Sequence, residues 1–199
     1  GTGDYLSVPD HADFDVVGSI SQDYTIDFWV RFTDHASQES LIEQYEDSSN
    51  FWRIDHDDGG GLTLLVKSGG SSIINMGRSG EITDTDWHHI ALCKVTNGSV
   101  EWGLYVDGAQ VDYLSDNSTD TFAGSIYVGI RGDGSSNPFD GNIDEMRITN
   151  TNSFSASPNA TPDDTITVPT SQHTSDANTK LLIHSGEAYT GALTGETTQ

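Results

Sequence analysis

Apolar residues return at every second position along much of this chain, and the spacing of about 3.6 residues that marks a helix is nearly absent. In YTIDFWVRF (24–32), Tyr24, Ile26, Phe28, Val30 and Phe32 fall on one side, with Thr25, Asp27, Trp29 and Arg31 on the other. That alternation predicts a half-buried strand. HHIALCKV (88–95) and VEWGLYV (100–106) read alike and are joined by Thr96-Asn97-Gly98-Ser99, whose Asn-Gly pair is a strong hairpin signal. Asp107-Gly108 then turns the chain into AQVDYL (109–114). Further strands are predicted over 5–8, 40–45, 72–76, 125–130, 143–149 and 180–184. Many short strands with turn signals between them predict an all-β, two-sheet antiparallel β-sandwich. Residues 150–179 differ, being rich in Thr, Ser, Asn and Pro. They predict a long connection over the sandwich, with a helical turn near SPNATPDD.

The stretch DHDDGGG (55–61) sets three carboxylates and a histidine against a glycine run. An EF-hand loop needs oxygen ligands at its first, third and fifth positions and a bidentate Glu at the twelfth. Counted from Asp55, the fifth is Gly59 and the twelfth is Val66. With FWRI (51–54) before it and LTLLVK (62–67) after it, a hairpin turn is the better reading.

At 199 residues the chain is expected to form one domain over 1–199. Its 31 acidic against 8 basic residues give a formal charge of -23. Such a surface repels nucleic-acid phosphates and anionic lipid alike and suits salty water. Cys93 is the single cysteine, so no intramolecular disulfide is available, and its place in HIALCKV predicts a small buried hydrophobe. No apolar run approaches the ~20 residues of a membrane span, and the N-terminus carries no signal-peptide pattern. The chain is expected to be released without a leader or to be a unit of something larger.

Six phrases taken together resemble one family. GDYLSVPD (3–10), TIDFWVRF (25–32), DWHHIAL (86–92), LYVDGAQV (104–111), YVGIRGDGSSNPFDGNIDEMRI (127–148) and TKLLIH (179–184) are similar to the laminin-G-like branch of the concanavalin A-like lectin/glucanase superfamily. The resemblance spans most of the chain in the family's order and implies a jelly roll of two curved antiparallel sheets. TSDANTKLLIHSG also resembles junctions in multi-domain proteins, including virion surface or tail components.

Enzymes of that superfamily set the first test. Retaining glycosidases need two carboxylates about 5 to 5.5 Å apart, and the laminarinase-like enzymes place them in a Glu, apolar, Asp, two residues, Glu string. Neither IEQYED (42–47) nor IDEMRI (143–148) has that spacing, so no catalysis is expected. His88 and His89 follow Trp87 but alternate to opposite faces, and His89 shares its face with Ala91, Cys93 and Val95, which predicts a buried, hydrogen-bonded imidazole. Related jelly rolls often hold Ca²⁺ at the sandwich edge. The resemblance places its ligands at Asp4, Asp144 and Asp140, with capping of turns as the competing role. Arg131-Gly132-Asp133 spells an integrin-type tripeptide inside what matches the family's glycine-rich loop, so chance is the favoured reading. Asn97, Asn117 and Asn159 open glycosylation sequons.

Sugar recognition calls for aromatic platforms and a few amides or charged groups. The candidates are Tyr45, Trp52 and Trp29, with Asn50, Arg53 and His56 near them in sequence. Alternation sends Phe51 and Trp52 to opposite faces, so one ring is expected outward, unless both pack inside. Three readings follow. The leading one is a non-catalytic, calcium-assisted glycan-binding or adhesion module, extracellular or on a virion surface. The second is a structural decoration or spacer that meets only a neighbouring protein, or further copies in a homo-oligomer or array. The third is a polysaccharide-active enzyme.

Overall fold

The computed structural model describes residues 4–185. Its strands are β1 (Leu6–Val8), β2 (Tyr24–Phe32), β3 (Glu39–Asp47), β4 (Asn50–Asp57), β5 (Gly61–Ser68), β6 (Ser71–Arg78), β7 (His88–Thr96), β8 (Val100–Val106), β9 (Ala109–Ser115), β10 (Ser125–Val128), β11 (Gly141–Thr149) and β12 (Thr179–Ile183). The sole helical element among the described residues is one 3-10 turn, Ala12–Phe14. The protein is therefore all-β, with two six-stranded sheets in the orders β1-β10-β3-β4-β5-β6 and β12-β11-β2-β7-β8-β9. Every predicted strand is present: 24–32 and 100–106 keep their bounds, 40–45, 72–76, 88–95, 109–114 and 143–149 are longer, 5–8 and 125–130 are shorter, and 180–184 is shifted by one.

Contacts divide the chain into two compact units. The first comprises the described parts of 1–20, 33–83 and 116–141 and holds the first sheet. Its pairings are antiparallel, with Glu43 opposite Arg53, Gln44 opposite Trp52 and Tyr45 opposite Phe51. Alternation on β4 sends Trp52, Ile54 and His56 to one face, where they are buried with Ile42, Leu64, Val66, Ile74 and Met76. Phe51, Arg53, Asp55 and Asp57 go to the other. DHDDGGG does form a hairpin, but Asp55 and His56 lie within β4, and the turn begins only after Asp57, which stands opposite Gly61. Gly60 is obligatory there: its φ is +86°, and a Cβ would stand 1.9 Å from the Ile82 carbonyl oxygen.

The second unit comprises the described parts of 21–32, 84–115 and 142–199. In it, β2 is buried on both faces except at Arg31, where the alternation predicted one wet side. The polar side is covered by an ion network around Asp27. Arg147 Nε donates to Asp27 Oδ1 at 2.9 Å, while His173 Nε2 and His89 Nε2 stand 2.8 Å and 3.3 Å from Oδ2. Burial alone would raise the Asp27 pKa. The bonds from His173 and His89, with the charges of His173 and Arg147, prevail and hold it well below the usual carboxylate range.

The 150–179 connection lies along β8 and β9 of the same unit. Gln110 N donates to the Asp164 carbonyl at 3.0 Å, Ile166 N donates to the Gly108 carbonyl at 2.8 Å, and Thr165 bridges Ala109. Ala156 and Ile166 join Ala91, Cys93 and Tyr105 in a buried cluster, and burial raises the Cys93 thiol pKa far above its ordinary value. No helical turn forms at SPNATPDD. Residues preceding Pro158 and Pro162 are steered to extended backbone, and the amides of Ala156 and Ser157 are taken by the side chains of Asn152 and Asp164 instead.

Candidate functional site

The first sheet separates the predicted sugar-binding residues by face. Trp52 is 1 % exposed, and its indole N–H donates to Gln44 Oε1 at 2.7 Å. Gln44 in turn donates to the Phe122 carbonyl and to Asp10. Trp52 is thus a core ring with its polar end satisfied and presents no platform to a glycan. His56 is fully buried beside His35, their ring nitrogens 3.0 Å apart, and burial followed by the neighbouring His35 lowers its pKa to about 4. Trp29, in the second unit, is 6 % exposed and packs against His89. These three sequence candidates are corrected for one reason: alternation shows which residues share a face, but not which face is covered. Asn50 is half-buried and occupied with the β3–β4 turn, donating to Asp47 and accepting from Gly69 N.

Tyr45 and Arg53 lie on the opposite face, and what gathers around them is more than the linear pattern revealed. Tyr45 and Phe51 stack with centroids 6.4 Å apart and planes 27° from parallel. The Arg53 guanidinium lies 4.6 Å over the Phe51 ring, and the Lys67 ammonium lies 5.8 Å from it. Between them, β3 and β4 place two carboxylates that are each 1 % exposed, Glu43 and Asp55. Asp55 Oδ2 accepts from Arg131 at 2.8 Å and pairs with Arg53 Nε at the same distance, the latter too far off line for a hydrogen bond. Glu43 Oε2 accepts from Gly132 N at 2.5 Å, and its Oε1 stands 3.7 Å from Arg53 Nη1. The integrin-like tripeptide therefore holds its arginine inward, on Asp55 and Gln38.

One oxygen of each carboxylate, Glu43 Oε1 and Asp55 Oδ1, has no hydrogen-bond partner although fully buried. Both oxygens are enclosed beneath the arginines, where Arg53 Nη1 is the cation beside Glu43 Oε1. Burial raises the Glu43 pKa to about 7, against the opposing pull of the Gly132 amide and the Arg53 charge. Glu39 is likewise raised to about 7 by burial, offset in part by the Asp140 amide. Arg131, Glu43 and Asp55 were missed by sequence reasoning. Glu43 and Asp55 carried one sequence signal, charge on alternate positions of β3 and β4, and Arg131, in the loop after β10, carried none.

Of the three aspartates that the resemblance placed at calcium, Asp4 and Asp140 belong to the first unit and Asp144 to the second. Asp4 is exposed, Asp140 accepts from Thr33 Oγ1 at 3.4 Å, and Asp144 Oδ1 already accepts from Glu145 N and Ser185 N at 2.7 Å and 2.8 Å. Among the described residues no group of three or more Asp, Glu, His or Cys side chains is placed to hold a metal.

Comparison with known proteins accords with this architecture. A family model described as the concanavalin A-like lectin/glucanases superfamily, Laminin_G_3, matches residues 1–157. No curated protein matches. Among solved structures, a binding domain of botulinum neurotoxin DC in complex with rat synaptotagmin II superposes with a TM-score of 0.54 at 15% identity, covering 74% of this chain and 37% of that one. The same toxin's binding domain in complex with SialylT gives 0.53 at 16%, covering 74% and 36%. Mouse laminin alpha1 domains LG4-5 give 0.52 at 20%, covering 72% and 38%. The chain thus spans less than two-fifths of each of these, and at such identities the likeness is one of fold.

Proposed function

Since this chain belongs to the laminin-G-like family of the concanavalin A-like lectin/glucanase superfamily, whose architecture is the two-sheet antiparallel jelly roll, we propose that it is a non-catalytic glycan-binding module of an extracellular or surface protein. The observation that carries this is the cluster of the Tyr45 and Phe51 rings with the Arg53 guanidinium, held over the buried carboxylates of Glu43 and Asp55. A saccharide suits that face, because its C–H side can lie on the partly exposed Tyr45 ring while its hydroxyls accept from the Arg53 guanidinium. Support also comes from the solved structures of similar fold, which include binding domains of botulinum neurotoxin DC. No helix among the described residues is long and apolar enough to cross a membrane.

The test is a glycan array probed with the intact chain and with Tyr45→Ala and Arg53→Ala. Retained binding in both variants removes the site. An absence of any binding by the unaltered chain moves the reading to a structural module.

One observation favours a second reading. Glu43, with its pKa raised to about 7, stands next to a second carboxylate held by arginines, and a protonated acid beside an ionised one is how glycosidases divide their labour. Release of reducing ends from a polysaccharide, lost in Glu43→Gln, would establish it.

A further inference from the structure

We infer that the second unit carries a separate binding site for an uncharged saccharide, in the cleft between the β7–β8 hairpin, β9 and the start of the 150–179 connection. The cleft has a volume of about 680 Å³, within the range of small-ligand sites. It does not depend on the Tyr45 face, which belongs to the other unit.

Its construction has three parts. Val95, Ala156 and Pro158 form an apolar floor, suited to the C–H face of a pyranose. On one wall Tyr113 donates its hydroxyl to Glu101 Oε2, and Ser99 donates to Glu101 Oε1. Each bond leaves acceptor capacity on the carboxylate, while the tyrosine is held in one orientation. On the opposite wall the backbone is fixed in advance. Asn152 brackets Ala156 with both ends of its amide, accepting from Ala156 N and donating to its carbonyl, each at 2.8 Å. That bracket forces Ser155 into the left-handed region at φ 52°, where a non-glycine residue is strained. Strain of this kind persists where the surroundings over-determine it, commonly at ligand-binding places. Ser155 and Ser157, both exposed, also line the cleft.

The ligand class follows from charge. No lysine, arginine or histidine lines the cleft, and Glu101 is its one ionisable carboxylate. In a chain of net charge -23, an anionic sugar is repelled here and a cation finds a single carboxylate already bonded twice. A neutral polyol meets an apolar floor, one fixed tyrosine and a set of hydroxyl and amide groups. Asn97 and Asn159, two of the three sequon asparagines, also line it. Attachment of an N-glycan to either would therefore obstruct the cleft.

The experiment is a titration of the intact ¹⁵N-labelled chain with maltotriose, cellotriose and laminaritriose, with 3′-sialyllactose and a heparin disaccharide as charged controls. At least one neutral trisaccharide is expected to shift the amides of Asn97, Tyr113, Ser155 and Asn159 with a single millimolar dissociation constant that does not change with salt. Tyr113→Ala should weaken it about tenfold or more. Ala160→Trp, an exposed position at the rim, should abolish it without altering the melt, which keeps the test open if Tyr113→Ala folds poorly. The inference is overturned if no neutral sugar moves those amides, if only the charged controls do, or if Ala160→Trp binds as well as the unaltered chain. Shifts confined to Tyr45 and Arg53 would support the first site and overturn this one.

Discussion

Gly132 lies so close against Tyr45 that a Cβ added to it would stand 2.2 Å from Tyr45 Cβ and 2.3 Å from Cγ. Its amide meanwhile caps Glu43 Oε2. A single residue without a side chain thus lets the loop after β10 cross the aromatic cluster and reach the buried carboxylate behind it. Gly132→Ala is expected to push the loop off Tyr45 and leave Glu43 without its donor, at a cost of ~1–3 kcal/mol for overpacking. Urea unfolding measures this, and a change below about 0.5 kcal/mol would mean that the loop moves aside freely.

The raised acids make a pH prediction with a definite sign. Glu39 and Glu43 move from 4.5 to about 7 on folding, so the folded state holds their protons more tightly than the unfolded one. Their contribution is fully present below pH 4.5 and is lost as pH rises to about 7. At about 1.4 kcal/mol per pH unit, each is worth ~3 kcal/mol as an upper figure. Asp27 acts in the opposite sense. Its pKa is depressed by folding, so its contribution is present above 3.8 and is lost as pH falls below that value. His56, lowered from 6.5 to about 4, opposes them, its contribution growing as pH rises through that range. Two acids against one imidazole should leave a net decline in melting temperature between pH 4.5 and 7, which the Glu39→Gln/Glu43→Gln pair should remove. A slope left unchanged by that pair contradicts the burial of these two acids.

Trp52 yields a prediction of the opposite kind from the one its sequence position suggested. As a core ring 1 % exposed, its replacement by alanine should destabilise the fold by ~3–5 kcal/mol. Trp52→Phe should cost less while leaving Gln44 Oε1 without its donor. A Trp52→Ala chain that melts normally but fails to bind sugar would return this residue to the surface role.

Legibility from sequence divides along the same line. The strands, both Asn-Gly and Asp-Gly hairpins and the buried Cys93 and His89 were readable because alternation and turn chemistry are local. Phe51 and Trp52 show where that ends, since both are buried, one beneath Arg53 and Lys67 and the other on the apolar face. Asp27 is a sharper case. Nothing near it in sequence says that Arg147 and His173, 120 and 146 positions away, would cover the wet side of β2. The same holds for Arg131 and Asp55, whose contact comes from a loop 76 residues downstream.

Calcium is testable by a melt in millimolar Ca²⁺ against one in chelator. With Asp144 Oδ1 occupied by two amides and no ligating cluster among the described residues, the two curves are expected to coincide. A ligand at 100 times its dissociation constant would add about 2.7 kcal/mol, a shift of several degrees. Such a rise, abolished by Asp144→Asn, would reinstate the edge site.

The last prediction separates recognition from stability at the Tyr45 face. Arg53 pairs with Asp55, stands near Glu43 and covers Phe51, so it shapes this face without being the only support of Asp55, which Arg131 also holds. Arg53→Ala should thus leave a folded chain, with a stability loss of ~1–2 kcal/mol, while weakening a saccharide that uses this face about tenfold or more. Arg53→Lys should recover little of that affinity, since an ammonium keeps the charge but lacks the planar stack over Phe51 and the fork between two carboxylates. Calorimetric titration beside urea unfolding distinguishes the cases. Full affinity in Arg53→Lys would reduce the role of Arg53 to its charge, and unchanged affinity in Arg53→Ala would show that the Tyr45 face is not where the sugar binds.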